Sequence, residues 1–261
     1  MIRAVYGGGV ETMHRQSKIL ELLTMSERVG VAEFARELGV SEVTVRRDLT
    51  ELETLGALKR VHGGAMSAAK RGEEVPFNVR KVESAAEKSA MARLAGSMVR
   101  DGELIAIDGG TTGAAIAAEV AHRRITAMPL SVQGIEALSG SLSVSLLLPG
   151  GAVRRGEGSI IGPLAEQALA ALRFDTYFLT CCGLNPKTGL TAHDLQDAAV
   201  KRAALASSAR IIVVADGTKF ARTAMALICM PEAVDLLITD ISAPPDAVST
   251  LRSAGVRVEF A

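Results

Sequence analysis

A small helical winged helix-turn-helix unit, followed by a larger α/β unit with a mostly parallel, Rossmann-like sheet covered by helices, is the fold class this sequence predicts. Three observations carry the prediction. At 261 residues and 48% hydrophobic content, the chain is long enough for two domains, each with its own core. Residues 13–65 show helical periodicities closed by a glycine-rich ribbon. Beyond Gly102, short apolar runs alternate with alanine-rich helical stretches, the pattern of strands covered on both faces.

Composition excludes more than it names. Lys plus Arg equals Asp plus Glu at 29 each, so no global charge points to nucleic acid or to a membrane. Cys181, Cys182 and Cys229 are odd in number and form no CxxC pair, which fits a reduced protein without a disulfide frame or a zinc site; no metal and no cofactor is expected. There is no cationic-then-apolar leader, and no apolar run approaches the ~18 residues of a membrane span. A cytoplasmic protein with no membrane partner is expected.

Residues 1–12 contain Gly7-Gly8-Gly9 without periodicity and read as a tail. Ile19, Leu20, Leu22 and Leu23 mark a first helix over 14–25, and residues 26–30 break it. Val31, Phe34, Ala35 and Leu38 give a short second helix that ends at Gly39. Only Gly39 and Val40 separate it from a third helix capped by Ser41, so the two must cross steeply as a helix-turn-helix. Val45, Leu49 and Leu52 make the third helix's apolar face, and Ser41, Thr44 and Arg47 point the other way, flanked by Arg46. Leu55-Gly56 closes the helix; Lys59, Arg60 and the His62-Gly63-Gly64 turn follow as a basic wing. A buried rear, a polar and basic front and a basic wing suit a DNA groove. An ordinary three-helix bundle with solvated arginines is the alternative, and the ribbon weighs against it, having little structural purpose alone.

Through Arg46-Arg47-Asp48-Leu49, Leu52, Gly56, Arg60 and His62-Gly63-Gly64-Ala65, residues 15–65 resemble the winged helix-turn-helix of the DeoR family of bacterial transcription regulators. The resemblance implies that Ser41, Thr44, Arg46 and Arg47 face double-stranded operator DNA. It also implies that the wing, with Lys59, Arg60, His62 and Gly63, reaches an adjacent groove or phosphate. Asp48 in that pattern holds an arginine in place.

Residues 66–76, small, polar and charged, read as a linker, and an effector-binding α/β domain is expected over 77–261. A helix over 79–100 buries Met91, Leu94, Ala95, Met98 and Val99, leaving Arg80, Lys81, Glu87 and Lys88 as a solvated face. Strand runs follow at 104–107, 125–130, 144–148, 176–180, 211–215, 236–239 and 256–260, with helices over 114–121, 164–172 and 198–206 between them.

In such sheets ligands bind at the carboxyl ends of strands. The first run enters Asp108-Gly109-Gly110-Thr111-Thr112-Gly113 just before a helix, offering turned-in amides and two hydroxyls to a compact anion. A tight strand-to-helix turn capped by a threonine is the plainer alternative. Other strand ends add Gly151 with Arg154 and Arg155, Cys181-Cys182-Gly183, and Asp216 with Lys219. His122 reads as a surface residue and His193 as a loop hydrogen-bonding group.

The resemblance extends over residues 76–240 through Glu87-Lys88, Asp108-x-x-Thr111-Thr112, Pro149-Gly150-Gly151, Gly162-Pro163, Gly189-Leu190-Thr191 and Asp216-x-x-Lys219-Phe220. It is similar to the DeoR effector domain, whose fold is like that of ribose-5-phosphate isomerase. It implies a phosphorylated sugar or related metabolite held by Asp108, Thr111, Thr112 and Lys219, with Asp216, Arg154 and Asp194 nearby. Three departures stand out: Pro129-Leu130-Ser131 where the family has Thr-Asn-Ser, the Cys181-Cys182 pair, and Asp197 in place of a glutamate. Two readings result. One is a ligand-controlled regulator, a repressor by resemblance, acting as a homo-oligomer because palindromic half-sites need two copies. The other is a sugar-phosphate isomerase or hydrolase with a helical extension. Against it, Cys181-Cys182-Gly183-Leu184-Asn185 offers no carboxylate base where isomerases of that fold carry one.

Overall fold

The computed structural model describes residues 12, 15–16, 18–20, 22–23, 26, 28–54, 56–67 and 75–261. The tail expected over 1–12 lies outside these residues except for Thr12, as does most of the expected linker, 68–74. The chain divides into two compact units, 1–86 and 87–261.

In the first unit the described residues between 15 and 23 are helical. Strand β1 (Arg28–Gly30), helix α1 (Val31–Leu38), helix α2 (Glu42–Thr54) and strands β2 (Leu58–Val61) and β3 (Gly64–Ser67) follow. The strands form an antiparallel sheet in the order β1-β3-β2. The expected α2 face is buried: Val45, Leu49 and Leu52 join Ile19, Leu23, Phe34 and Leu58 in one core. Gly39 ends α1 in the left-handed conformation, φ 65°, which gives the tight turn into α2. Residues 28–30, read from sequence as a break, are a strand supporting the wing. A Cβ at Gly64 would fall 2.2 Å from the Val29 carbonyl oxygen, so only glycine lets β3 lie so close to β1.

Helix α3 (Phe77–Val82) is separated from α4 (Ala85–Ser97) at Glu83 and Ser84. The single helix expected over 79–100 is therefore two, because Ser84 adopts φ 49° and Glu83 is extended. Val79 packs into the first unit's core with Val75 beside it, which extends that unit ten residues past the expected start of the second at 77.

The second unit carries β4 (Leu104–Ile107), α5 (Gly110–Val120), β5 (Thr126–Pro129), α6 (Val132–Ser139), β6 (Ser145–Leu146), β7 (Ala152–Val153), β8 (Ile160–Ile161) and α7 (Pro163–Ala170). Then come β9 (Thr176–Leu179), β10 (Gly183–Asn185), β11 (Gly189–Ala192), α8 (Leu195–Ala206) and β12 (Ile211–Val214). A 3-10 turn (Gly217–Ala221), β13 (Ala226–Cys229), β14 (Leu236–Thr239), α9 (Pro245–Ser253) and β15 (Arg257–Phe260) complete it. The seven apolar runs become one parallel sheet, ordered β15-β14-β12-β9-β4-β5-β6. Alternate residues face opposite cores. Ala106, Tyr177, Leu179 and Val213 pack with Leu169 of α7 and Ala198 of α8. Ile105, Ile107, Phe178 and Val214 pack with Met91 of α4 and Ile116 of α5. Helices thus cover both faces, and continuous apolar strands follow from that. The hairpin β7-β8 and the antiparallel sheet β10-β11-β13 were not read from the sequence. Their strands are only two to four residues long and carry no clear alternation.

From β4 the chain runs outward to β6, then returns to the other side of β4 at β9 and continues outward to β15. The order reverses between β4 and β9, the place where sheets of this kind bind ligands at the carboxyl ends of their strands.

Candidate nucleic-acid interface and ligand site

On α2 the Thr44 N–H donates to Ser41 Oγ at 3.2 Å, and the two hydroxyls lie 2.9 Å apart. Arg46 pairs with Glu42 at 2.6 Å and Arg47 with Glu51 at 3.3 Å, all four side chains well exposed. Exposed i,i+4 pairs contribute little, so both guanidiniums can exchange partners for phosphate or base edges at small cost. Arg60 of β2 donates from Nη1 to Thr50 Oγ1 at 3.0 Å and from its amide to Glu53 Oε1 at 3.0 Å, tying the wing to α2. Lys59 beside it is exposed. Gly63, at φ 77°, makes the wing tip, and Arg28 Nη2 donates to the His62 carbonyl at 2.6 Å. Arg28 was not singled out from sequence. Asp48 is buried and accepts a two-armed hydrogen bond from Arg15, with Nη2 to Oδ1 at 3.0 Å, the arginine-holding role the resemblance implied.

At the switch point between β4 and β9, Asp108 is almost wholly buried. Its Oδ1 accepts from the Gly109 N–H at 2.8 Å; its Oδ2 accepts from the Thr180 N–H at 2.8 Å, the Thr180 hydroxyl at 2.9 Å and the Lys201 ammonium. Lys201, buried on α8, also lies 3.5 Å from Asp197. Burial opposes its charge, yet the two carboxylates outweigh burial and raise its pKa. Gly110 at φ 79° starts α5, and a Cβ at Gly113 would collide with the Asp108 carbonyl oxygen at 1.9 Å. The two glycines let the helix begin against the aspartate's own backbone. Thr111 and Thr112 occupy its first turn, and among the described residues neither hydroxyl makes a protein hydrogen bond.

Asp216, at the end of β12, caps the 3-10 turn through Thr218 N at 3.0 Å and lies 4.0 Å from Lys219 Nζ. Burial raises its pKa, but Lys219, Lys88 and the Thr218 hydrogen bonds lower it further, so the carboxyl sits below its usual value. Lys88 is thus a buried cation facing this carboxylate, not the solvated residue the sequence suggested. Helical periodicity placed it on the polar side of α4; the end of β12 turns that side inward. Cys181 joins the two halves, since Lys219, Lys201 and Asp216 all act on its thiol. Burial pushes that thiol up, which makes it a poor nucleophile.

Arg154 pairs with Asp194 at 3.4 Å, and Asp194 caps α8 by accepting from Gln196 N and Asp197 N, each at 2.9 Å. Gly151 is at φ 112°, with the Ile161 carbonyl oxygen 2.6 Å from where a Cβ would stand. The Arg154 amide donates to the Ser159 carbonyl at 2.8 Å, and Ser159 stands over Gly109. The structure therefore links the expected residues along one edge, and adds Lys88, Thr180 and Lys201. Lys201 had one sequence signal, an Asp197 four residues earlier, which is indistinguishable from a solvated helix pair.

A helix-turn-helix unit with a basic wing, joined to a Rossmann-ordered unit with a buried charged cluster at its switch point, defines a ligand-sensing DNA-binding regulator. Residues 15–71 match the DeoR-like helix-turn-helix domain and residues 83–241 the DeoR C terminal sensor domain. The chain belongs to the DeoR family of transcriptional regulators. It is 33% identical to the transcriptional repressor AccR of Agrobacterium fabrum, over 88% of this chain and 90% of that one. It is 28% identical to the glycerol-3-phosphate regulon repressor of Escherichia coli, over 94% and 98%. A ribose 5-phosphate isomerase A from Methanocaldococcus jannaschii superposes with a TM-score of 0.41 at 15% identity, over 53% of this chain and 55% of that one. The fold rests on the strand order and not on that likeness. Its relatives are regulators, and this chain is a regulator and not an enzyme. No helix among the described residues is long and apolar enough to cross a membrane.

Proposed function

We propose that this protein is a cytoplasmic repressor of a carbohydrate-metabolism operon, released or retained on its operator by a phosphorylated sugar or related metabolite. One observation supports the effector class above the others. Thr111 and Thr112 place two hydroxyls at a helix N-terminus, beside an aspartate whose carboxylate is already occupied by protein donors. The hydroxyls and first-turn amides remain available to an anion, and the helix dipole favours one there. In this reading Asp108 organises the turn and does not hold the ligand. Lys219 and Lys88, around Asp216, supply positive charge along the same edge. Arg154 and Asp194, already paired, fix the β7-β8 hairpin to α8.

The DNA-contact set is Ser41, Thr44, Arg46, Arg47, Lys59, Arg60, His62 and Gly63. A homo-oligomer, dimer or higher, follows from the need to read paired half-sites. The names of the two repressors above agree with the repressor assignment. Effector changes DNA affinity only as far as it binds the two states of the protein differently.

Replacing both threonines, Thr111→Val with Thr112→Val, is expected to abolish the effector response and leave effector-free DNA affinity unchanged. Fluorescence anisotropy of labelled operator, titrated with effector, measures both. A normal response in the double variant rules out the anion turn.

A further inference from the structure

At the carboxyl end of β5, Pro129 and Leu130 are both buried, the latter in the core, and neither offers a polar side chain. Ser131 is committed to the fold, its hydroxyl accepting from Gly134 N at 3.2 Å as the cap of α6. Polar side chains nevertheless reach the same place from elsewhere. The β7-β8 hairpin crosses this turn through the Ser131–Ser159 bridge and the Ile160 N–H to Leu130 carbonyl bond of 2.9 Å. A Cβ at Gly109 would stand 3.5 Å from the Cβ atoms of both Ser131 and Ser159. One at Gly158 would fall 2.6 Å from the carboxamide nitrogen and oxygen of Gln133. Ser159 therefore crowds against the glycine that opens the anion turn, and Gln133 packs on Gly158, the residue just before Ser159.

Ser159 is 6% exposed, and its Oγ has no hydrogen-bond partner among the described residues; Gln133 Oε1 is likewise buried without one. Buried polar atoms are nearly always paired, and leaving one unpaired costs more than having no polar atom there. Two such atoms, one over Gly109 and one over Gly158 of the hairpin that crosses this turn, are explained by bound groups that complete them. The chemistry is specific. Gln133 Oε1 requires a donor, and the Ser159 hydroxyl can donate or accept. A ligand hydroxyl can donate to the amide oxygen or accept from the serine; an alkyl group can do neither.

We propose that Ser159 and Gln133 form a hydroxyl-recognising subsite beside Gly109 that selects polyhydroxylated ligands. This rests on the reading of the Gly109–Thr112 turn as the anion-binding end of the same site. The subsite supplies the polar side chains that Pro129 and Leu130 do not, placing the recognition surface on the hairpin and the first turn of α6.

Calorimetric titration of the full chain tests it. The probes are ribose 5-phosphate, fructose 6-phosphate and glycerol 3-phosphate, each against the alkyl phosphate of equal chain length, in wild type and in the double variant Ser159→Ala, Gln133→Leu. For the polyol phosphate that wild type binds best, affinity should fall about tenfold or more in the double variant, with alkyl phosphate affinity unchanged within about twofold. Ligand-free Ser159→Ala should melt at or above the wild-type temperature, since an unpaired buried hydroxyl does not support the fold. A marked drop in its melting temperature makes Ser159 a structural residue and overturns the proposal. So does a polyol preference that survives in the double variant. Alkyl phosphates binding wild type as well as polyol phosphates overturn the subsite alone and leave the anion turn standing. If no phosphate binds, both fall together.

Discussion

Replacing Lys201 with methionine is expected to destabilise the protein by about 3–5 kcal/mol, the usual consequence of breaking a buried ion pair from one side. The ammonium donates to Asp108, lies 3.5 Å from Asp197 and reaches the Thr180 carbonyl at 3.5 Å. Its removal leaves two carboxylates facing one another in a largely dry place. Because its pKa is raised in the folded protein, its contribution is complete below the unfolded value near ~10.4 and is lost only as pH rises through the folded one. The full effect is therefore present at neutral pH. Urea unfolding of the full chain measures it, and adding Asp108→Asn to the lysine variant should recover part of the loss, because the two side chains are coupled. A loss below about 1 kcal/mol would mean that water already solvates the cluster.

Arg47→Ala is expected to leave stability nearly unchanged and to weaken operator binding by about 1–3 kcal/mol, the range for a side chain that reads a base edge. Its pair with Glu51 is exposed on both sides and contributes little to folding. Mobility shifts at fixed salt separate the two effects. Binding that stays within about twofold of wild type would take the front of α2 out of the recognition role.

The fold was legible wherever periodicity was strong. Seven apolar runs became the seven parallel strands, because burial on both faces demands unbroken apolar sequence. The buried face of α2 followed from Val45, Leu49 and Leu52 alone. Short elements were not legible: β1 lay in what reads as a helix break, and one serine at positive φ divided an apparently continuous helix. At the proposed ligand edge, glycines and threonines marked the tight turn before α5, since backbone that must bend inward needs glycine. The residues that organise it stayed hidden. Lys201 and Lys88 carry the same letters as solvated lysines, and only the sheet shows that their helices turn them inward. Ser159 and Gln133 are fifty and twenty-four residues from Gly109, and no spacing rule connects them.

Occupancy of the Asp108–Thr112 edge is expected to change how tightly the winged unit holds DNA. Operator affinity of the full chain, measured at fixed salt with and without each member of a sugar-phosphate series, tests this directly. At least one member should change the apparent Kd by about fivefold or more, the lower end of ordinary allosteric coupling. That change should vanish when Thr111 and Thr112 are both valine. A sugar phosphate that binds by calorimetry yet leaves operator affinity untouched would contradict this coupling.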